Sequence, residues 1–145
     1  MNLYTIGFVK KSAEEFFSQL IKNNVKRVVD IRLNNKSQLA GYTKYRDLKY
    51  FLSTIGDIDY IHKVEFAPTK ELLTSYKKKL TTWDDYEKKY NEILEERKIL
   101  EDIDYALFDN ACLLCSEPTA QNCHRRLLAE YLERHNKSIN VVHLK

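Results

Sequence analysis

The sequence predicts an α/β fold: a single three-layer, Rossmann-like domain with a mainly parallel sheet of about five strands and helices on both faces. Two observations predict it. Short apolar or β-branched runs alternate along the chain with segments whose apolar residues recur at helical spacing, the pattern of successive βαβ units. The runs around Val28, Val29 and Ile31 and at Ala111 to Cys115 are apolar enough to be strands covered on both sides.

The first strand, Leu3-Tyr-Thr-Ile6, stops at Gly7. Ser12 with Glu15 three residues later is a capping-box pattern, and Phe16, Phe17, Leu20 and Ile21 then mark the first helix. Val25 to Ile31 is the second strand, with Asp30 almost at its C-terminal end. Two strands joined through a helix run parallel. Arg32 to Thr43 is polar and without period, a loop leaving that strand. Leu48, Phe51, Leu52 and Ile55 give a second helix, which Gly56 caps.

Ile58 to Phe66 is a third strand, alternating through Ile58, Tyr60, His62 and Val64. From Thr69, a short helix carries Leu72, Leu73, Tyr76 and Leu80. Thr82 with Asp85 opens a longer one through Tyr86, Tyr90, Ile93 and Leu94. Ile99, Leu100, Ile103, Ala106 and Leu107 continue the helical spacing until Asn110. Ala111 to Cys115 is the fourth strand. A helix starting near Asn122 buries Leu127, Leu128, Tyr131 and Leu132, and Ile139 to Leu144 is the fifth strand.

Length and composition agree with this. The chain has 145 residues, the size of one domain, and 43% are apolar, with only 3 Gly and 2 Pro, as in a protein of much regular structure. A net charge of +3 tolerates an anionic partner without demanding one. Three cysteines, and no secretory signal at Met1-Asn-Leu-Tyr-Thr, predict reduced thiols in a cytoplasmic protein. No apolar run approaches the roughly 18 residues of a membrane span. Oligomeric state is not encoded in any feature of the sequence.

In parallel sheets ligands bind beyond the carboxyl ends of the strands, where strand order reverses. The polar clusters fall at such ends: Gly7, then Asp30 and Arg32, then Ser116 and Glu117. The densest stretch is Cys115-Ser-Glu-Pro-Thr-Ala-Gln-Asn-Cys123-His124-Arg125-Arg126, a strand exit, a loop and a helix start. Unpaired amides and the dipole at that helix start favour an anion. His124 and one arginine, Arg125, are expected to point inward, because Arg126 lies on another face.

Each group has a second reading. Gly7 either closes a turn at positive φ or allows close backbone approach to a ligand. Asp30 and Arg32, two apart, hold a substrate or pair with each other. Glu117 is an acid or base, or the acceptor that neutralises Arg32 or Arg125. Cys112 and Cys115, three apart on a strand, face opposite ways and do not form a redox pair. Cys115, Cys123 and His124, with Asp30 or Glu117, could supply zinc ligands, but only one ligand pair is close, so no metal or other cofactor is expected. Cys123, at a helix start beside arginines, could be a reactive thiol. His62, His135 and His143 read as structural. Tyr42 and Tyr45, interleaved with Lys44 and Arg46, could stack a base of a nucleic acid or form a half-buried helix entry.

Thr5-Ile-Gly7, Val28-Val-Asp30-Ile-Arg32 and Leu113-Leu-Cys115-Ser-Glu117 followed by Cys123-His124-Arg125 resemble the family catalogued as domain of unknown function 488. The resemblance spans nearly the whole chain, and its most specific part is the Cys-x-Glu and Cys-His-Arg segment. It implies a compact α/β domain of Rossmann-like layering, of a kind widespread in bacteria and archaea, with Asp30, Arg32, Glu117, Cys123, His124 and Arg125 in one constellation. It implies no reaction. Family members often carry a proline after the Asp-x-Arg segment, where this chain has Leu33-Asn34-Asn35-Lys36.

Two functions fit. The first is an enzyme, a hydrolase or transferase, acting on a phosphorylated small molecule, a nucleotide or a nucleic-acid end. In it Asp30, Glu117 and His124 are the catalytic groups, and Gly7, Arg32, Ser116, Cys123 and Arg125 hold the substrate. The second is a module that binds a nucleotide or nucleic acid without chemistry.

Overall fold

The computed structural model describes residues 1–36, 41–117 and 120–145. Its centre is one five-stranded, all-parallel sheet made of β1 (Asn2–Gly7), β2 (Arg27–Asp30), β3 (Asp59–His62), β4 (Ala111–Cys115) and β5 (Asn140–His143), in the order β3-β2-β4-β1-β5. Five α-helices connect them: α1 (Ala13–Lys22), α2 (Tyr45–Gly56), α3 (Lys70–Lys77), α4 (Trp83–Glu96) and α5 (His124–His135).

The alternation of side chains along each strand sorts the core into two layers. Val28, Cys112 and Leu114 face α1 and α2 through Phe16, Leu20, Leu48 and Leu52. Val29, Ala111 and Leu113 face α4 and α5 through Tyr90, Leu94, Leu128 and Leu132. Helices therefore cover both faces, as the buried runs imply.

Strand order explains where a site can form. The chain moves outward from β1 to β3 along one face, then returns along the other to insert β4 between β1 and β2. The segments leaving β1 and β2 turn to the α1 and α2 side, and the segment leaving β4 turns to the α5 side. A crevice opens where they part. The register makes the strand ends flush, with Gly7 opposite Cys115 and Asp30 opposite Leu114.

Local signals that act within a few residues are realised. Ser12 accepts from the Glu15 amide at 3.1 Å, Thr69 from Leu72 at 3.1 Å and Thr82 from Asp85 at 3.2 Å, each capping a helix start.

Elsewhere the structure departs from the sequence reading. The helical spacing from Ile99 to Leu107 does not make a helix: α4 stops at Glu96, Lys98 turns the chain at φ 51°, and a 3-10 turn follows at Tyr105–Phe108. Ile99, Leu100, Ile103 and Leu107 still pack on the α4 and α5 side of the core, so the apolar period reports burial rather than helix. The third strand is only Asp59–His62, and Val64–Phe66 closes into a 3-10 turn. The left-handed residue ending α2 is Asp57, at φ 52°, not Gly56. In the long loop, Gly41–Thr43 is a 3-10 turn, whereas Ser37, Gln38, Leu39 and Ala40 lie outside the described residues, as do Pro118 and Thr119.

Candidate functional site

Asp30 ends β2 with its side chain fully buried. Its Oδ1 accepts from the Arg32 backbone amide at 3.1 Å and from Arg32 Nε at 2.9 Å, and its Oδ2 accepts from Arg32 Nη2 at 2.8 Å. The Tyr60 hydroxyl donates to the same Oδ2 at 2.5 Å, and Asn35 donates to Tyr60 at 3.1 Å. Both carboxylate oxygens are thus committed. The two-residue spacing read from the sequence produces a bidentate ion pair, the alternative in which the residues hold each other.

The purpose of that pair is visible in Arg32. The guanidinium is 6% exposed, lies 5.3 Å over the Phe8 ring, and also donates from Nη2 to the Thr43 carbonyl at 2.7 Å. His62 Nε2 donates to the Arg32 carbonyl at 2.7 Å, so its structural reading holds the Arg32 backbone in place. Arg32 Nη1 is buried with no hydrogen-bond partner among the described residues, as are Arg125 Nη2 and Asn91 Oδ1. Native structures rarely leave a charged donor in that state unless something else supplies the acceptor.

Arg32 lines a cleft of about 730 Å³ together with Phe8, Asn34, Ser116, Glu117, Cys123 and His124. Ser116 is partly exposed, and Glu117 is exposed at the cleft with no side-chain partner among the described residues. His124 begins α5. Its Nε2 donates to the Ile31 carbonyl at 2.9 Å, which fixes the tautomer and leaves Nδ1 as an acceptor. Burial pulls its pKa down to about 4, and Arg125 lowers it further, whereas the Ile31 hydrogen bond and Asp30 oppose the shift. His124 is therefore a neutral imidazole at pH 7.

That shift has a sign in stability. The unfolded chain takes up the His124 proton near 6.5 and the folded chain only near 4, so stability present above pH 6.5 is lost as pH falls towards 4. Urea midpoints at pH 7 and pH 5 should differ more for the wild type than for His124→Gln, which removes the titrating ring. Equal differences would mean that His124 is not neutral in the fold.

Arg125 points inward while Arg126 turns outward to Glu130 at 3.2 Å, as the helix geometry predicts. Arg125, however, sits beneath the cleft and not in its wall. It is fully buried, and it donates from Nε to Thr5 Oγ1 at 3.2 Å, from Nη1 to Cys115 Sγ at 3.3 Å and to the Glu117 carbonyl at 2.5 Å. Thr5 in turn pairs with His143 Nδ1 at 2.7 Å. Burial draws the Arg125 pKa down to about 10, opposed by Cys112 and Glu117, so the side chain stays charged at neutral pH. It fastens the strand-exit loop to β1.

Gly7 completes that fastening. Its φ is not positive, so the turn reading is set aside, and what comes close to it is the loop after β4. A Cβ at Gly7 would collide with the Glu117 carbonyl and the Arg125 guanidinium. Gly7→Ala should displace the Cys115–Glu117 segment and cost roughly 1–3 kcal/mol, the range for overpacking. A thermal melt within 1 °C of wild type would show that the loop is not seated there.

The structure brings Cys115 and Cys123 together at the two ends of the strand-to-helix loop, eight residues apart in sequence and with Cα atoms 7.7 Å apart. Because β4 delivers Cys115 to the place where α5 begins at Cys123, the two sulfurs meet. Cys112 is free and buried on the other face of β4, so the Cys112-x-x-Cys115 spacing forms no pair, as strand geometry dictates. Among the described residues, no group of three or more His, Cys, Asp or Glu gathers to hold a metal ion.

The wall opposite Arg32 was missed by sequence reasoning. Tyr76, Trp83 and Tyr86 line the cleft, with Trp83 stacked on Tyr86 at 4.9 Å and the row continuing to Tyr90 and, edge-on, to His124 at 5.8 Å. Trp83, Tyr86 and Tyr90 recur at core spacing, which hides a ligand-facing wall inside an ordinary amphipathic pattern. Thr5 and Tyr60 were also missed. A polar side chain inside a buried strand was the signal for the first.

Asp30, Arg32, Glu117, Cys123, His124 and Arg125 all lie within the residues 12–132 that match a family model, and Gly7 precedes them. No curated protein and no solved structure matches the chain. Among the described residues, no helix is long and apolar enough to cross a membrane. With its match covering most of the chain, the protein belongs to the family described as Domain of unknown function DUF488.

Proposed function

We propose that the protein is an enzyme, a hydrolase or transferase, acting on a phosphorylated substrate, a nucleotide or a nucleic-acid end, in the cleft at the ends of β1, β2 and β4. The observation that carries this reading is Arg32. A guanidinium clamped on one edge by Asp30 and Thr43, with Nη1 unpaired, is pre-organised to take an anionic oxygen without reorienting. Asp30 becomes the group that positions Arg32. His124, neutral and with Nδ1 free, accepts a proton from the attacking hydroxyl or water, and a bound anion raises its basicity. Glu117 orients that nucleophile from the cleft mouth. Arg125 and Gly7 hold the loop that carries Ser116 and Glu117.

The test is a panel of nucleotides and phosphoesters. Turnover by the wild type should fall at least about 100-fold in Glu117→Gln/His124→Gln, the usual scale of acid–base catalysis. Turnover unchanged in that variant would end the proposal.

One observation favours the second reading, a binding module without chemistry: the carboxylate nearest the anion position, Asp30, has no oxygen free to move a proton. That reading expects ligand-induced thermal stabilisation with no turnover, retained in Glu117→Gln and weakened in Arg32→Lys. Lysine keeps the charge for Asp30 but lacks the planar fork.

A further inference from the structure

On the other side of the β2-to-α2 loop from the Arg32 cleft lies a shallow, open second pocket of about 730 Å³, at the exposed β3 edge of the sheet. Lys36, Lys44, Arg46 and Lys49 line it, around the rings of Tyr45 and Tyr60. Among the described residues no acid lines it, although the chain carries 21 of them. On a chain whose net charge is only +3, four cations in one lining make this pocket locally positive. None of the four forms an ion pair among the described residues, and the six residues not described include no carboxylate.

Three of the four sit at the start of α2, on Lys44, Arg46 and Lys49. Asp47 is the acid of that first turn, and the cations outnumber it and oppose the helix dipole, an arrangement that an anionic partner would favour. The two tyrosines are half-buried, with ring centroids 6.4 Å apart and a tilt of 37°. Cations that follow a backbone, combined with aromatic rings, are the means by which proteins hold unpaired bases.

The two pockets are physically joined. Asn35, in this pocket's wall, donates to the Tyr60 hydroxyl, Tyr60 donates to Asp30, and Asp30 holds Arg32 in the cleft. Arg32 to Asn34 line one pocket and Asn35 and Lys36 the other, so a single chain lying across this loop would touch both.

We infer that this face binds single-stranded nucleic acid, with its phosphates on Lys36, Lys44, Arg46 and Lys49, its bases against Tyr45 and Tyr60, and one phosphate delivered to Arg32. The inference deepens the proposed function and rests on it for the phosphate at Arg32: the substrate is a strand or its end and not a free nucleotide. Tyr42, read from the sequence beside Tyr45, takes no part. Its ring packs on Phe16 and Phe17, and its hydroxyl donates to the Lys11 carbonyl at 2.8 Å.

The experiment is fluorescence anisotropy with labelled twelve-nucleotide DNA and RNA single strands, at 50 and 200 mM salt. The strands should bind, more weakly at high salt, with a log–log slope near −0.7 for each phosphate neutralised. Lys44→Ala/Arg46→Ala/Lys49→Ala should bind at least tenfold more weakly, yet melt no lower than the wild type and keep its stabilisation by inorganic phosphate. Failure of every strand to bind, equal binding by the triple variant, tighter binding of duplex DNA, or full displacement by polyglutamate would overturn the inference. Phosphate stabilisation that persists in any of these cases, and weakens in Arg32→Lys, leaves the cleft reading standing. Its absence in the wild type counts against the cleft alone.

Discussion

Asp30→Ala is expected to destabilise the fold by about 3–5 kcal/mol, because it leaves the Arg32 guanidinium buried without its counter-charge. The side chains are 0% and 6% exposed, so water cannot take over the lost role. The variant also strips the Tyr60 hydroxyl and the Arg32 backbone amide of their acceptor. A paired replacement separates these effects. Asp30→Leu/Arg32→Met removes both charges and fills much of the space, and should recover most of the stability while abolishing anion binding. Urea denaturation measures both variants. If Asp30→Ala costs less than 1 kcal/mol, the pair is not the buried clamp described above.

Arg125→Ala should be as damaging, at about 3–5 kcal/mol, for a different reason. Arg125 is the bulkiest side chain that is fully buried, and it bridges β1, through Thr5, to the loop after β4, through Cys115 and the Glu117 carbonyl. Alanine leaves a cavity and an unpaired carbonyl at the same point. For a chain of this size the melting temperature should fall by roughly 10 °C. Its neighbour supplies the control: Arg126 pairs with Glu130 at the surface, and Arg126→Ala should change stability by no more than about 1 kcal/mol. Comparable losses in both would show that the Arg125 contacts are not the fastening of this loop.

The contrast between Arg125 and Arg126 marks what the sequence could reveal. Helical geometry alone separates inward from outward arginine, and the Ser12 and Thr82 caps act within three residues, so both were legible. So were the strands buried on both faces, since β-branched runs report burial directly. The end of α4 was not, because Lys98 has no intrinsic preference for φ 51° and takes it under tertiary constraint. Ile99 to Leu107 kept the helical period only because they pack on the same core.

Legibility in the site follows the same division. That Gly7, Asp30, Arg32 and Glu117 lie near strand ends follows from the fold class. What each one touches depends on strand order, with β4 between β1 and β2, and one sequence does not contain that order. The collision that makes Gly7 a glycine and the seat of Arg125 on Thr5 are contacts between segments far apart in the chain, and the meeting of Cys115 with Cys123 depends on where β4 delivers the loop between them. Asp30 shows the limit most sharply. Its two-residue spacing from Arg32 permits both substrate contact and mutual pairing, and only its burial selects between them. The Trp83 wall stayed hidden because an aromatic face turned to a ligand has the same period as one turned to a core.

The central claim is that the cleft of Arg32 and His124 receives an anionic phosphate. NMR of the imidazole nitrogens of His124, followed from pH 8 to pH 4 with and without inorganic phosphate, tests it most directly. The account predicts an Nε2-protonated neutral ring that titrates near 4 alone and clearly higher with phosphate bound, as a nearby anion favours the imidazolium. A His124 titration unmoved by saturating phosphate, or already near 6.5 without it, would contradict the claim.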